Sequence, residues 1–229
     1  MRIATAACVA LLAVLTGCQT IQSSSPTQTL VRVIDASYNA PAVSVSVGTT
    51  PIATNIAAAT ITNYAFLPPQ NTTASVYPTG STKATASAAG NFLVNEQHSV
   101  FITDSGTSYT ATILTDQTTL PPAGDFSLRI VQQAINTGAV DVYLLSGSTA
   151  LADAKPLLSA IPAQTASAYV NVPAGSYTIA VTPAGNIKSA YTSTAPVTFS
   201  ADQVRTFLIM DAQLTTNPPV TVVIGNDLN

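Results

Sequence analysis

The chain repeats itself over a spacing of about a hundred residues, and within each repeat the apolar residues alternate. Val31-Arg32-Val33-Ile34 aligns with Leu128-Arg129-Ile130-Val131 at an offset of 97. The same register carries Asn39 onto Asn136, Ala42-Val43 onto Ala139-Val140, and Val45 onto Val142. Further on, Tyr64 aligns with Tyr169, Pro68 with Pro173, Pro78 with Pro183 and Gly80 with Gly185, now at an offset of 105. The step between the two registers places an insertion of eight residues around residues 151–158 of the second copy. Gln97 and Phe101 align with Gln203 and Phe207 at 106. A period this long exceeds a solenoid unit, which spans about 20–50 residues. It predicts two tandem domains, residues 30–118 and 127–229, joined by a linker at residues 119–126.

Alternation inside each copy sets the class. Val43, Val45 and Val47 alternate with Ser44 and Ser46, and Tyr177, Ile179 and Val181 with Thr178, Ala180 and Thr182. One apolar and one polar face per segment is the signature of a half-buried strand. Asn39-Ala40-Pro41, Pro173-Ala174-Gly175 and Pro183-Ala184-Gly185 supply turns between them. The fold expected is all-β: two antiparallel β-sandwiches of about seven strands each. Around residues 151–159 one helical turn is expected, with Pro156 preventing a longer helix.

The N-terminus reads differently. Arg2 is followed by an apolar run from Ile3 to Leu15, then Thr16-Gly17-Cys18. Charge, apolar stretch and small residues at a cut form the order of a signal peptide. Thirteen residues make about 20 Å of helix, short of the ~30 Å core of a bilayer. Leu15-Thr16-Gly17-Cys18 resembles a bacterial lipobox. The resemblance implies a signal peptide over residues 1–17, cleavage between Gly17 and Cys18, and lipidation of Cys18 by a diacylglyceryl thioether and an acylated amine. Two or more acyl chains anchor a protein stably. Gln19, rather than Asp, follows the cysteine; in Gram-negative lipoproteins this resemblance implies the outer membrane. Residues 18–29, rich in Ser, Thr and Gln with Pro26, read as a polar tether. The eleven residues after Cys18 reach about 37 Å when extended.

Composition narrows the chemistry. Charged residues are 7% of the chain, against about 25% in an average protein. Losing Arg2 with the signal leaves six basic against ten acidic residues, a net charge of −4. No basic run exists, so nucleic acid is excluded as a partner. Cys8 departs with the signal and Cys18 is lipidated, so no thiol chemistry, disulfide or Cys-based metal site is expected.

The VRVIDASYNAPAVSVSV segment, a later Tyr-bearing strand and PAGSYTIAVTPAG together resemble a bacterial family known as domain of unknown function 4397. The resemblance covers residues 30–116 and 127–227. It implies secreted or surface proteins, tandem copies and an Ig-like or transthyretin-like sandwich, and it lends no catalytic residues. At the first copy's turn, residues 67–72 read LPPQNT and depart from PAGSY.

Individual residues offer little chemistry. His98 is the only histidine. It shares a strand face with Glu96 while Ser99 points oppositely, and the expectation is an exposed polar residue at a strand start. Asp35, Asp104, Asp116, Asp141, Asp211 and Asp227 lie near strand ends, where Asp commonly caps turns; calcium is the alternative. Arg32 and Arg129 are expected to point outward with their stems over apolar surface, a ligand-anion anchor being the alternative. Tyr64 and Tyr169 are expected to place their rings in the core and bond their hydroxyls to backbone. The expected function is therefore a non-enzymatic, lipid-anchored envelope protein with no cofactor, catalytic residue or metal. It would act as a structural, adhesion or interaction module meeting an envelope polymer, protein or glycan. A glycan- or small-ligand-binding lipoprotein is the alternative.

Overall fold

The computed structural model describes residues 27–37, 41–104, 108–187, 191–212 and 220–228. The signal segment, Cys18, most of the tether and the Asn39-Ala40 turn lie outside the described residues.

Among the described residues all regular structure is β apart from a 3₁₀ turn at Leu151–Asp153, which meets the expected single helical turn. The first nine strands are β1 (Thr29–Asp35), β2 (Val43–Val47), β3 (Thr50–Ile56), β4 (Thr60–Ile61), β5 (Ala65–Leu67), β6 (Gln70–Pro78), β7 (Ala86–Phe92), β8 (Gln97–Asp104) and β9 (Tyr109–Asp116). After residues 117–124 follow β10 (Asp125–Gln133), β11 (Val140–Ser146), β12 (Leu158–Ile161), β13 (Thr165–Ala166) and β14 (Val170–Pro173). The chain closes with β15 (Gly175–Pro183), β16 (Tyr191–Thr192), β17 (Val197–Phe199), β18 (Val204–Asp211) and β19 (Val220–Leu228).

The strands form four sheets with a repeated plan. One sheet runs β4-β1-β8-β9, with β5 also on β1; its counterpart runs β13-β10-β18-β19, with β14 also on β10. The other pair runs β3-β2-β6-β7 and β12-β11-β15-β16, with β17 also on β15. Each sheet has four rows, because segments such as β4 and β5 are two stretches laid along one neighbour. The sandwich class expected from the alternation is present, but the sheets are not purely antiparallel. β1 runs parallel to β8, and β10 parallel to β18. The chain crosses into the other sheet before it returns, which a parallel pair requires.

Burial explains why these central strands lack clean alternation. β8 and β18 are buried along nearly their whole length, because both of their faces are covered. Val31, Val33, Val100 and Ile102 face β2 and β6 across one core. Leu128, Ile130, Phe207 and Ile209 face β11 and β15 across another. The opposite faces of the β1 and β10 sheets pack on each other through Ile34, Phe101, Val131, Leu208 and Met210. Four sheets are thus stacked in layers, with the β1 and β10 sheets in the middle. Gly225 of β19 permits the close approach of β4. A Cβ there would lie 2.9 Å from two atoms of Ile61 and 3.4 Å from Arg32 Nη1.

The register between β8 and β18 corrects one alignment. Arg32 pairs with Ser99 and Ile34 with Phe101, while Arg129 pairs with Thr206 and Val131 with Leu208. Ser99 therefore corresponds to Thr206, and Phe101 to Leu208, one residue beyond the 106 offset. A one-residue slip exchanges the faces of a strand. Phe101 lies between the two central sheets, whereas Phe207 lies in the second core.

Candidate functional site

The residues singled out from the repeat meet in one place, buried between the central sheets. Arg32 on β1 and Arg129 on β10 have only 1% and 3% of their surface exposed. They do not point outward as expected, because the faces that carry them are covered by each other. Arg32 Nη2 lies 2.6 Å from Asp227 Oδ1, and its Nη1 donates to the Asn226 carbonyl at 3.1 Å. Its Nε donates to Ser99 Oγ at 2.8 Å. Arg129 Nη2 donates to Asp116 Oδ1 at 2.7 Å and also reaches Thr206 Oγ1 at 3.2 Å.

The two tyrosines complete the cluster. Arg32 Cζ stands 4.8 Å from the centre of the Tyr64 ring, and Arg129 Cζ stands 4.8 Å from that of Tyr169. Each ring offers its electron-rich face to a guanidinium. Tyr64 donates its hydroxyl to Asp116 Oδ2 at 2.8 Å, and Tyr169 to Asp227 Oδ2 at 2.7 Å. The hydroxyls thus bond carboxylates rather than backbone. Ser99 and Thr206 add one donor each to the same oxygens, at 2.7 Å in both cases.

The pattern is reciprocal. Arg32 of the first half holds Asp227 of the second, and Arg129 of the second holds Asp116 of the first. Burial lowers the Arg32 pKa, but the charge of Asp227, with Tyr64 and Asp116, more than reverses this and raises it above its ordinary value. Burial and Asp116 push the Tyr64 hydroxyl far above its ordinary range. Burial and Asp227 raise Tyr169 against the pull of Arg129. Both hydroxyls therefore stay protonated, as donors to the carboxylates.

The remaining candidates do other work. His98 is buried, correcting the expected exposed position: its strand's inner face closes the first core, and its ring meets Phe92 edge-on at 5.2 Å. Its Nε2 lies 3.2 Å from Glu96 Oε2. Burial lowers its pKa, partly opposed by Glu96 and Asp116. Ser99 sits on the opposite face, so the two form no catalytic pair. Asp141 accepts the Ala160 and Gly185 N–H groups at 2.7 and 2.9 Å, and Asp211 accepts those of Asn136 and Thr137. These are turn-capping roles. Among the described residues no group of three or more His, Cys, Asp or Glu is placed to hold a metal ion.

Asp35 carries a measurable consequence. Its Oδ1 accepts the Ser37 N–H at 3.0 Å and the Ser37 hydroxyl at 2.6 Å, while its Oδ2 is buried without a partner. Burial pushes its carboxyl up to about 6, against the two Ser37 bonds. A folded-state value above the unfolded one, about 3.9, means the folded state binds the proton more tightly. Stability from this group is full below pH ~4 and is lost as pH rises through ~6. Gln132, its counterpart at the offset of 97, accepts the Ala134 N–H with a neutral amide. Asp35→Asn keeps the acceptor and removes the charge. It is expected to stabilise the protein at pH 8 by about 1–3 kcal/mol and to flatten the fall between pH 4 and 6 in urea unfolding.

Residues 29–143 match the family described as Domain of unknown function (DUF4397). The chain belongs to this DUF4397 family. The matched segment runs from β1 through β9 and on into β11, so it contains Arg32, Tyr64, Asp116 and Arg129 and ends before Tyr169 and Asp227. No curated protein matches the chain.

The sequence missed the partnership between these groups. Arg, Tyr and Asp recur together in both halves, in a chain with only seven basic and ten acidic residues. That recurrence was the available signal.

Proposed function

We propose that this DUF4397 protein is a lipid-anchored envelope protein whose folded part is a non-enzymatic structural, adhesion or interaction module. The observation that carries the reading is the buried reciprocal cluster. The arginines that could have anchored an anionic ligand are used to bind one half of the chain to the other. The result is a spacer that resists separation of its halves. The second half is read as a second copy of the first, supported by the shared sheet plan, the parallel central pairs and the matched Arg, Tyr and Asp. Cys18 is the anchor, residues 19–29 the tether, and the outer membrane the location in a Gram-negative cell.

Intact-mass measurement on the membrane fraction tests the anchor. The expected mass is that of residues 18–229 with a diacylglyceryl thioether and an acylated amine on Cys18. Cys18→Ser is expected to move the protein from the membrane pellet to the soluble fraction. A soluble wild-type product with an unmodified cysteine would reject the anchor.

A second reading, binding of a glycan or small ligand, does not draw on Tyr64 or Tyr169, whose rings are engaged by arginines. It is favoured by an open groove elsewhere in the first half.

A further inference from the structure

The two halves follow one plan, so each serves as an internal comparison for the other. In β2 and β6 the pairs Ser44–Tyr77 and Ser46–Ser75 alternate with the core-facing valines. They point to the outer face of the stack. The corresponding pairs in β11 and β15 are Asp141–Thr182 and Tyr143–Ala180. In the second half this face is covered. The inserted loop lays Leu151 and Ala154 on Tyr143, Leu145 and Ala180, and Tyr143 is left 4% exposed. The first half lacks those eight residues, and its face is open. A groove of about 320 Å³ lies there among Tyr77, Pro51, Ser44, Ser46, Thr54 and Thr82.

The lining selects the ligand. It includes no charged side chain, so it offers nothing to pair with a phosphate, carboxylate or ammonium. The hydroxyls of Ser46, Thr54, Thr82 and Tyr77 bond no other described residue, and Ser44 Oγ accepts only the Asn55 N–H, at 3.1 Å. A hydroxyl both donates and accepts. The half-buried Tyr77 ring adds an apolar plate with a polar tip. A neutral sugar ring has the complementary chemistry: one C–H face and a rim of hydroxyls. The volume lies at the low end of the ~300–1,000 Å³ range of small-molecule sites, so only a short stretch of a glycan chain fits.

We infer that the outer face of β2, β3 and β6 is a binding site for a neutral glycan. The inference deepens the envelope-module reading by naming a ligand class and its place, and it rests on that reading only for where the glycan is met.

Isothermal calorimetry on the full chain, in a non-glycosidic detergent, tests it with neutral hexasaccharides of glucose, mannose and N-acetylglucosamine. At least one is expected to bind at a single site. Tyr77→Ala is expected to weaken that binding by at least about tenfold, the effect of losing ~1.4 kcal/mol. Ser46→Tyr, which places the second half's ring inside the groove, is expected to abolish it. Far-UV circular dichroism establishes that both variants remain folded. Absence of binding by all three sugars at millimolar concentration overturns the inference, as does binding that neither substitution changes. Capture of a Leu-Ala-Asp-Ala-Lys-Pro-Leu peptide in place of any sugar also overturns it, in favour of a polypeptide ligand. Anchoring plays no part in the assay, so these failures leave the Cys18 test untouched.

Discussion

Asp227→Ala is expected to destabilise the protein by about 3–5 kcal/mol, the usual cost of removing one partner from a buried ion pair. Asp227 receives three groups: Arg32 at 2.6 Å, the Tyr169 hydroxyl at 2.7 Å and the Thr206 hydroxyl at 2.7 Å. Its loss leaves a guanidinium with no exposed side-chain surface, whose nearest remaining carboxylate is Asp116 at 3.9 Å. Urea unfolding measures the effect as a lower midpoint. Raising salt should change it little, because screening acts weakly on buried pairs. Arg32→Ala should cost a similar amount, and the double variant much less than the two together, since both remove one interaction. A loss below about 1 kcal/mol for Asp227→Ala would show that the cluster does not hold the halves. Pairing Arg32→Met with Asp227→Leu should recover much of the loss, because apolar groups need no counter-charge.

Phe199→Ala is expected to cost about 3–5 kcal/mol through the cavity it opens. Phe199 is 2% exposed. Its ring stacks on Phe126 with centroids 4.5 Å apart and planes 9° from parallel, and it touches Phe207 at 5.8 Å. Removing it withdraws the central ring of three. The corresponding first-half residue, Phe92, meets a histidine instead. Phe92→Ala should therefore expose His98 to water as well as open a cavity. Chemical denaturation followed by tyrosine fluorescence reads both variants, since the chain has no tryptophan. Phe199→Leu should retain more than half of the stability lost in Phe199→Ala, because it keeps much of the buried volume.

Alternation was enough to read the strands that have one covered face. Val43, Val45 and Val47 face the core with Ser44 and Ser46 outside, as their spacing implied. It failed where both faces are covered. β1 and β10 carry an arginine amid apolar residues, and the local pattern gives no way to tell an outward arginine from one buried against a second sheet. His98 misled for a related reason: a polar residue at a strand start is commonly exposed, yet this one closes a core beside Phe92. The aspartates divided along the same line. Asp141 and Asp211 accept backbone N–H groups at turns, the role a strand-end aspartate commonly takes. Asp116 and Asp227 depart from that role, because their partners are arginine, tyrosine and hydroxyl side chains that only the stacking of the central sheets brings together.

Periodicity and internal repetition, by themselves, determined the all-β sandwich class, the repeated plan and the place of the helical turn. These follow from local physics: side chains alternate across a strand, and a sequence that recurs meets the same local preferences twice. The stacking of the two central sheets, the parallel pairing of β1 with β8, and the exchange of arginines and aspartates between halves were decided only by the tertiary structure. A charge is placed by whatever covers it, and what covers Arg32 is a strand almost two hundred residues further along the chain.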